Sequence, residues 1–100
     1  MTILESERPA ILRDLPHETS KMVLAFADRL DAQFPAGTDE RALKSRLTEW
    51  GFQLDEDDVG QYARLRIEAA TGQDTYFVYW MLDAKRRLTH IEADVHISRP

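Results

Sequence analysis

Histidine and carboxylate side chains alternate near the end of the sequence. His90, Glu92, Asp94 and His96 stand at every second position, so a β-strand would place all four on one face at steps of about 6.5–7 Å. Two of them could share a zinc ion if another element supplied a further ligand, because zinc needs convergent ligands. The alternative is a polar ladder on an edge strand, which discourages aggregation. We expect the ladder, no bound metal, and only weak metal candidates in His90, Asp94 and His96.

Four consecutive acids form a second candidate feature. Asp55, Glu56, Asp57 and Asp58 lack the alternating ligands and the distal glutamate of an EF-hand calcium loop. We expect a solvated loop here, with contact to a basic partner surface as the alternative use.

Arginines and aromatic residues form a third candidate. Arg64 and Arg66 would lie beside Phe77 and Tyr79, as in platforms that stack bases and grip phosphates. The net charge is −5, and acids predicted on the same face would repel phosphate. We therefore do not expect nucleic-acid binding.

Catalytic motifs are missing from the sequence. The serines stand outside any nucleophile-elbow pattern, and the four glycines are scattered rather than gathered in a phosphate loop. No carboxylate pair has a recognisable acid–base setting. We expect neither enzymatic activity nor a cofactor.

Length and composition favour one globular domain. The chain has 100 residues, 43% of them hydrophobic and 31% charged, which is ordinary for a soluble domain. It contains no cysteine, and no run reaches the roughly 18 apolar residues of a membrane span. The first residues do not resemble a secretory signal. We expect a cytoplasmic protein without membrane contact.

Two helices are predicted from the apolar spacing. The first covers residues 16 to 34, with Asp14 or Thr19 as its cap and Pro35 as its stop. Its apolar stripe holds Met22, Val23, Phe26, Ala27, Leu30 and Phe34.

The second helix is the more fully specified of the two. Thr38 is predicted to cap its start, and Gly51 follows its end at the position that needs a left-handed backbone. Phe52 comes next and is placed to touch Leu47 as in a Schellman motif.

Three strands follow, at about residues 61–70, 75–82 and 87–97, with polar turns between them. Residues 1–14 and 53–60 are predicted as loops. The first is a flexible or fold-back arm, with a short edge strand or a one-turn helix as the alternatives. The fold class is then α+β: two helices followed by a three-stranded antiparallel meander in a two-layer sandwich.

The central strand is apolar on both of its faces. Tyr76, Val78, Trp80 and Leu82 would point one way and Phe77, Tyr79 and Met81 the other. We expect the helices to cover Val78, Trp80 and Leu82, although hairpin register decides the parity. The other face could be covered by apolar residues of the N-terminal arm, by a second copy or by another partner. The candidate arm residues are Ile3, Leu4, Ile11 and Leu12.

Gly37 and Thr38 precede the second predicted helix, and Gly51 and Phe52 follow it. With this pattern, residues 34–97 resemble the small outer-membrane assembly lipoproteins of the SmpA/OmlA (BamE-like) type. In that family a Gly-Thr entry starts a helix that ends before a short turn, and a three-stranded meander follows. The resemblance implies a scaffold or interaction role rather than catalysis. This chain departs from the family in its extra N-terminal helix and its lack of a lipobox cysteine. The residues that carry the likeness are Gly37, Thr38, Leu43, Leu47, Gly51 and Phe52.

The sequence therefore predicts a non-enzymatic protein–protein interaction module that binds through the outer face of its sheet. The predicted contacts are Arg64, Arg66, Phe77, Tyr79 and Met81, because aromatic residues and arginine dominate interface energies. The partner would be another protein or a second copy, giving a homodimer. The alternative is a small acidic inhibitor, such as an immunity or phage-type decoy protein, that acts on a basic surface.

Overall fold

Two helices lie against one face of a mostly antiparallel sheet in the computed structural model. The model describes residues 2–4, 8–58, 60–69 and 72–98. The fold class is α+β. In chain order the elements are β1 (Thr2–Leu4), a short 3₁₀ helix (Ala10–Leu12), α1 (Thr19–Gln33), α2 (Glu40–Glu49), β2 (Gln53–Glu56), β3 (Gln61–Ala69), β4 (Gly72–Leu82) and β5 (Leu88–Ser98).

Helix α1 buries the predicted apolar stripe but starts later than predicted. Met22, Phe26 and Leu30 lie in the core, at the three- and four-residue spacing of one helix face. The N-cap is Glu18, and its side chain makes no capping hydrogen bond. The prediction of Asp14 or Thr19 as the cap was therefore wrong.

Helix α2 ends as predicted but is capped one residue later. Asp39 is the N-cap, and its carboxylate accepts a hydrogen bond of 3.0 Å from the Arg41 amide. At the other end Gly51 has a φ of +97°. The Phe52 amide donates to the Leu47 carbonyl at 2.9 Å, which is the outer hydrogen bond of a Schellman motif.

The predicted meander forms the body of the sheet, but two strands were missed. β3 pairs with β4, and β4 with β5, all antiparallel. The other edge of β3 is shared by β2, which runs antiparallel to it, and by β1, which runs parallel. The prediction of a loop over residues 53–60 is therefore corrected at Gln53–Glu56, and the three-stranded sheet gains two short strands.

The even-numbered residues of the central strand β4 face the core. Tyr76 and Val78 are fully buried and Trp80 nearly so, while Leu82 packs against the same cluster. The Tyr76 ring meets the Phe26 ring of α1 edge-on, with centroids 5.6 Å apart. This confirms that the helices cover the face of β4 with even-numbered residues.

Leu88 differs from the predicted alternation. Its position in β5 would place it on the same face as His90, but it is 2% exposed and belongs to the core. The pairing of β4 with β5 shifts register between Met81 and Leu82. An irregularity of this kind places an extra residue in one strand, so the side chains beyond it change faces.

The N-terminal segment contributes to the core on the helical side. Ile11, Leu12 and Leu15 are buried there, so Ile11 and Leu12 do not cover the opposite face. The backbone of Ile3 pairs with Ile67 along β3. The prediction of a loop through residue 14 is thus corrected to a short edge strand and one turn of 3₁₀ helix.

Within the described residues, no helix has both the length and the apolar character needed to cross a bilayer.

Candidate functional site

The sheet face turned away from the helices, called the outer face below, brings three strands together in regular rows. Cross-strand pairing places β4 residues between partners from β3 and β5. Directly paired side chains on one face stand about 4.5–5.5 Å apart, so each row is a line of neighbours. The rows are Tyr62–Tyr79–Glu92, Arg64–Phe77–Asp94 and Arg66–Thr75–His96.

Three aromatic rings, the aromatic cluster, form the middle of the outer face. Phe77 and Tyr79 are stacked with centroids 6.1 Å apart. Tyr62 lies 5.6 Å from Tyr79 and 6.3 Å from Phe77. These separations are typical of favourable aromatic pairs. The cluster is held by the paired backbones of β3 and β4, so it is a preformed surface rather than a flexible one.

Apolar atoms of this cluster remain open to solvent. Tyr79 is 36% exposed and Met81 is 64% exposed, while Tyr62 and Phe77 are half-buried. The helices and the 3₁₀ turn pack on the opposite side of the sheet. In the part of the chain that the structure describes, the outer face is therefore covered only by its own side chains. Contiguous exposed apolar surface of this kind usually marks a contact site.

The two borders of the aromatic cluster differ in charge. On β3, Arg64 is partly exposed and Arg66 is exposed; the Arg64 guanidinium lies 3.9 Å from the Asp55 carboxylate. On β5, Glu92 and Asp94 are exposed. The β3 border is mixed in charge, because exposed Glu68 shares the face of Arg64 and Arg66 and Asp55 lies beside Arg64, whereas the β5 border carries two acids.

The tyrosine hydroxyls of the cluster remain protonated well above neutral pH. Partial burial, with help from the Asp94 and Asp57 carboxylates, raises the pKa of Tyr79. Burial and then the Asp55 carboxylate raise the pKa of Tyr62. The Tyr62 hydroxyl donates to the Asp55 carboxylate, and the Tyr79 hydroxyl can donate a hydrogen bond to an approaching acceptor.

The weak metal candidates are engaged in other contacts. His90 Nε2 lies 2.9 Å from a Glu92 carboxylate oxygen, and the His96 ring meets Phe77 edge-on at 5.9 Å. An Asp94 carboxylate oxygen accepts a hydrogen bond of 2.8 Å from the Val95 amide. No three histidine, aspartate or glutamate side chains converge on one point among the described residues. The alternating residues form a ladder along β5.

The four acidic residues 55–58 are all exposed, and their side chains make different contacts. Asp55 lies in β2, where it contacts Arg64 and accepts a hydrogen bond of 3.4 Å from the Tyr62 hydroxyl. Asp57 shapes the turn into β3, since its carboxylate accepts from the Gly60 amide at 3.0 Å. The run therefore supports the edge of the outer face in addition to carrying charge. Its use against a basic partner stays a prediction.

A shallow pocket of about 260 Å³ lies at one end of the outer face. It is bounded by Tyr79, Met81, His90 and Glu92 on the sheet and by the turn that connects β2 to β3. Small apolar groups of a partner could enter beside Met81, while the carboxylate of Glu92 could accept a hydrogen bond from a polar group next to them.

The structure places all five predicted contact residues on one face. Sequence reasoning did not assign contact roles to Tyr62 and Asp94, which complete the aromatic cluster and its acidic border. Strand parity could have found Tyr62, because it alternates with Arg64 and Arg66. The role of Asp94 depends on the register between β4 and β5, which the turn sequence does not reveal.

Compared with protein-family models, curated proteins and solved structures, the chain gives no significant match. The resemblance to the outer-membrane assembly lipoproteins therefore stays a prediction.

Proposed function

We propose that the chain is a non-enzymatic protein-interaction module and that the outer face of its sheet is the binding surface. The observation that carries this proposal is the aromatic cluster together with Met81, exposed on a face that no helix covers in the described residues. Apolar rings that are exposed to water are unfavourable, and burying them against a partner is favourable. An exposed apolar patch therefore indicates that a partner covers it.

The composition of the surface supports a protein ligand. Aromatic residues, methionine and arginine are the types enriched in the centres of protein interfaces. Here Phe77 and Tyr79 stack at 6.1 Å, with Arg64 beside Phe77 in the same row. The rings have few rotatable bonds and are held by paired strands, so little conformational entropy is lost on binding.

The charge pattern favours a protein over nucleic acid. Glu92 and Asp94 lie one strand away from the aromatic cluster, where a phosphate backbone would be repelled. A partner that carries both signs can match both borders, as protein surfaces do.

Site-specific photocrosslinking in the cells that make the protein tests this proposal. Tyr79→benzoylphenylalanine places a photoreactive ring within the outer face. Leu24→benzoylphenylalanine is the matched control, since Leu24 is a large exposed hydrophobic residue on α1, 66% exposed. We expect discrete protein adducts from position 79 that are absent from position 24. Equal adduct patterns at the two positions, or none from position 79, would contradict the proposal.

A further inference from the structure

We infer that an extended segment of a partner protein adds to the sheet as an antiparallel strand beside β5, and that basic residues alternate with apolar ones in this segment. β5 is the last strand of the sheet, and among the described strands it pairs with β4 alone. The side of β5 that points away from β4 is called the free edge below. The inference goes beyond the proposed function, because it assigns a binding role to a sheet edge and not to the outer face.

The start of β5 shows that this edge accepts a backbone partner. The Gly37 amide donates to the Leu88 carbonyl at 2.7 Å, and the Leu88 amide donates to the Thr38 carbonyl at 2.7 Å. Within the part of the chain that the structure describes, no other segment pairs with residues 90–97 on this side. The free edge thus begins where the pairing with Gly37 and Thr38 stops.

The free edge is long and lacks the features that usually block strand addition. Residues 90–97 extend over about 26 Å at about 3.3 Å per residue, and they include neither lysine nor proline. The irregularity in the pairing with β4 lies before this stretch, opposite Met81 and Leu82. Lysine, proline and bulges are what natural edge strands use to prevent pairing. Backbone hydrogen bonds to an open edge give affinity, and the alternating side chains give specificity.

The Val95 amide has a local acceptor that an added strand can replace. It donates to the carboxylate of its neighbour Asp94 at 2.8 Å. Local bonds of this kind, from a side chain to adjacent backbone, compete with pairing between strands. A carbonyl of an added strand can take the place of the carboxylate as acceptor, and the Asp94 carboxylate is then free to bind a basic side chain.

The side of the free edge that faces the helices offers apolar surface. Ile91, Ala93 and Ile97 pack against the core but are only partly buried. A pocket of about 240 Å³ lies between the end of α1 and the start of β5, bounded by Phe34 and Ile91 among others. Side chains on the same side of an added strand would cover these residues and enter the pocket. We therefore expect apolar residues at every second position of the segment.

The other side of the free edge is acidic. Glu92 and Asp94 are exposed there, and basic side chains directly opposite them form favourable cross-strand pairs. The net charge of −5 also attracts a basic segment from a distance. A second copy of β5 fits less well, because antiparallel pairing about the midpoint at Ala93 places Glu92 of each copy opposite Asp94 of the other. Like charges directly opposite destabilise a strand pair.

Fluorescence anisotropy with the purified full chain tests the inference. The probe is a labelled peptide of about nine residues with blocked ends, in which lysine and valine alternate, so that it matches the length of the free edge. We expect saturable binding with a dissociation constant on the order of 100 micromolar, as for a small contact. Hydrogen exchange followed by NMR should show that the bound probe protects amides within residues 90–97.

Two controls separate strand addition from general attraction between charges. Glu92→Lys places a like charge opposite a lysine of the probe and should weaken binding at least about threefold. Glu49→Lys changes the net charge equally at an exposed position at the end of α2 and should change the affinity less than about 1.5-fold. A probe methylated on every backbone nitrogen keeps its side chains and charge but cannot donate backbone hydrogen bonds, so it should not bind.

Four results would overturn the inference. They are the absence of saturable binding up to about millimolar probe, equal binding of the methylated probe, equal loss of affinity in Glu92→Lys and Glu49→Lys, and binding that protects no amide within residues 90–97. Protection of these amides that grows with the concentration of the chain alone would show that a second copy occupies the edge, and would also refute the basic segment. Circular dichroism of each variant checks that it is folded.

Discussion

Adjacent residues of β4 should respond very differently to substitution. Val78 is fully buried and Tyr79, the next residue, is 36% exposed. Val78→Ala removes two methyl-sized groups worth about 0.8 kcal/mol each. The cavity of roughly 40 Å³ left behind adds about 1 kcal/mol. We therefore expect the free energy of unfolding to fall by about 2.5 kcal/mol, which lowers the melting temperature of a domain this size by about 10–20 °C.

Tyr79→Thr should cost far less, although it removes many more atoms. Threonine keeps a high strand propensity, and the ring that is lost packs against Tyr62 and Phe77 on an open face. Cross-strand pairs of this kind contribute about 0.2–1 kcal/mol. Two such pairs sum to about 0.4–2 kcal/mol, so the expected loss of stability in the monomer is about 1 kcal/mol.

Urea unfolding followed by tryptophan fluorescence measures both changes. The protein concentration should be kept low, so that self-association does not contribute to the measured stability. Unchanged slopes with denaturant would show that the unfolding reaction is the same in all three proteins. If Tyr79→Thr destabilises the monomer as much as Val78→Ala, the outer face is an internal surface, and the reasoning from strand parity fails.

Three further predictions concern residues outside the outer face, namely Glu40, Gly51 and Leu12. Burial alone would raise the pKa of the Glu40 carboxyl, but hydrogen bonds and charge from Arg86 and Lys44 hold it below its usual value. The stabilisation is therefore present above the usual pKa of glutamate and disappears as the pH falls through the lowered pKa. Glu40→Gln should lower the free energy of unfolding by about 1–2 kcal/mol at pH 7. The difference in urea midpoint between this variant and the wild type should become smaller below about pH 4. A constant difference from pH 7 to pH 3 would argue against this role. Gly51→Ala should cost about 1–2 kcal/mol for the left-handed backbone alone, since an added Cβ meets its nearest atom at an ordinary 3.8 Å; thermal unfolding measures it, and an unchanged melting temperature would contradict the Schellman ending. Leu12→Ala should cost about 3 kcal/mol, because this side chain is fully buried; a loss below about 0.5 kcal/mol in urea unfolding would mean that the N-terminal segment lies outside the core.

The two helix ends of the 34–52 region show how local and long-range effects divide. The ending at Gly51 and Phe52 was predictable, because a left-handed glycine after an apolar helix is a local signal. The start was not, since Thr38 and Asp39 are both good caps. Tertiary contacts decided it: the Thr38 carbonyl accepts a hydrogen bond of 2.7 Å from the Leu88 amide, which ties Thr38 to β5 and leaves Asp39 as the cap.

Strand β2 shows a case in which the sequence signal is weak. Three of the four residues of Gln53–Glu56 are polar and all four are exposed, and the polar residue types among them have low strand propensity. It forms a strand because the edge of β3 offers backbone groups for pairing. Gln53 pairs with Arg64 there, and Leu54 pairs with Ala63. Backbone pairing does not depend on side-chain type, so the apolar pattern could not reveal it.

The sequence by itself determined the helical stripes, the three long strands and the two-faced apolar character of β4. These are properties of local periodicity, which is 3.6 residues in a helix and two in a strand. Only the tertiary structure decided that the helices cover Tyr76 and Val78, that Leu88 turns inward, and that Arg64 and Asp94 share a row with Phe77. Those features depend on hairpin register and on the irregularity between Met81 and Leu82, because a shift of one residue exchanges the two faces of a strand.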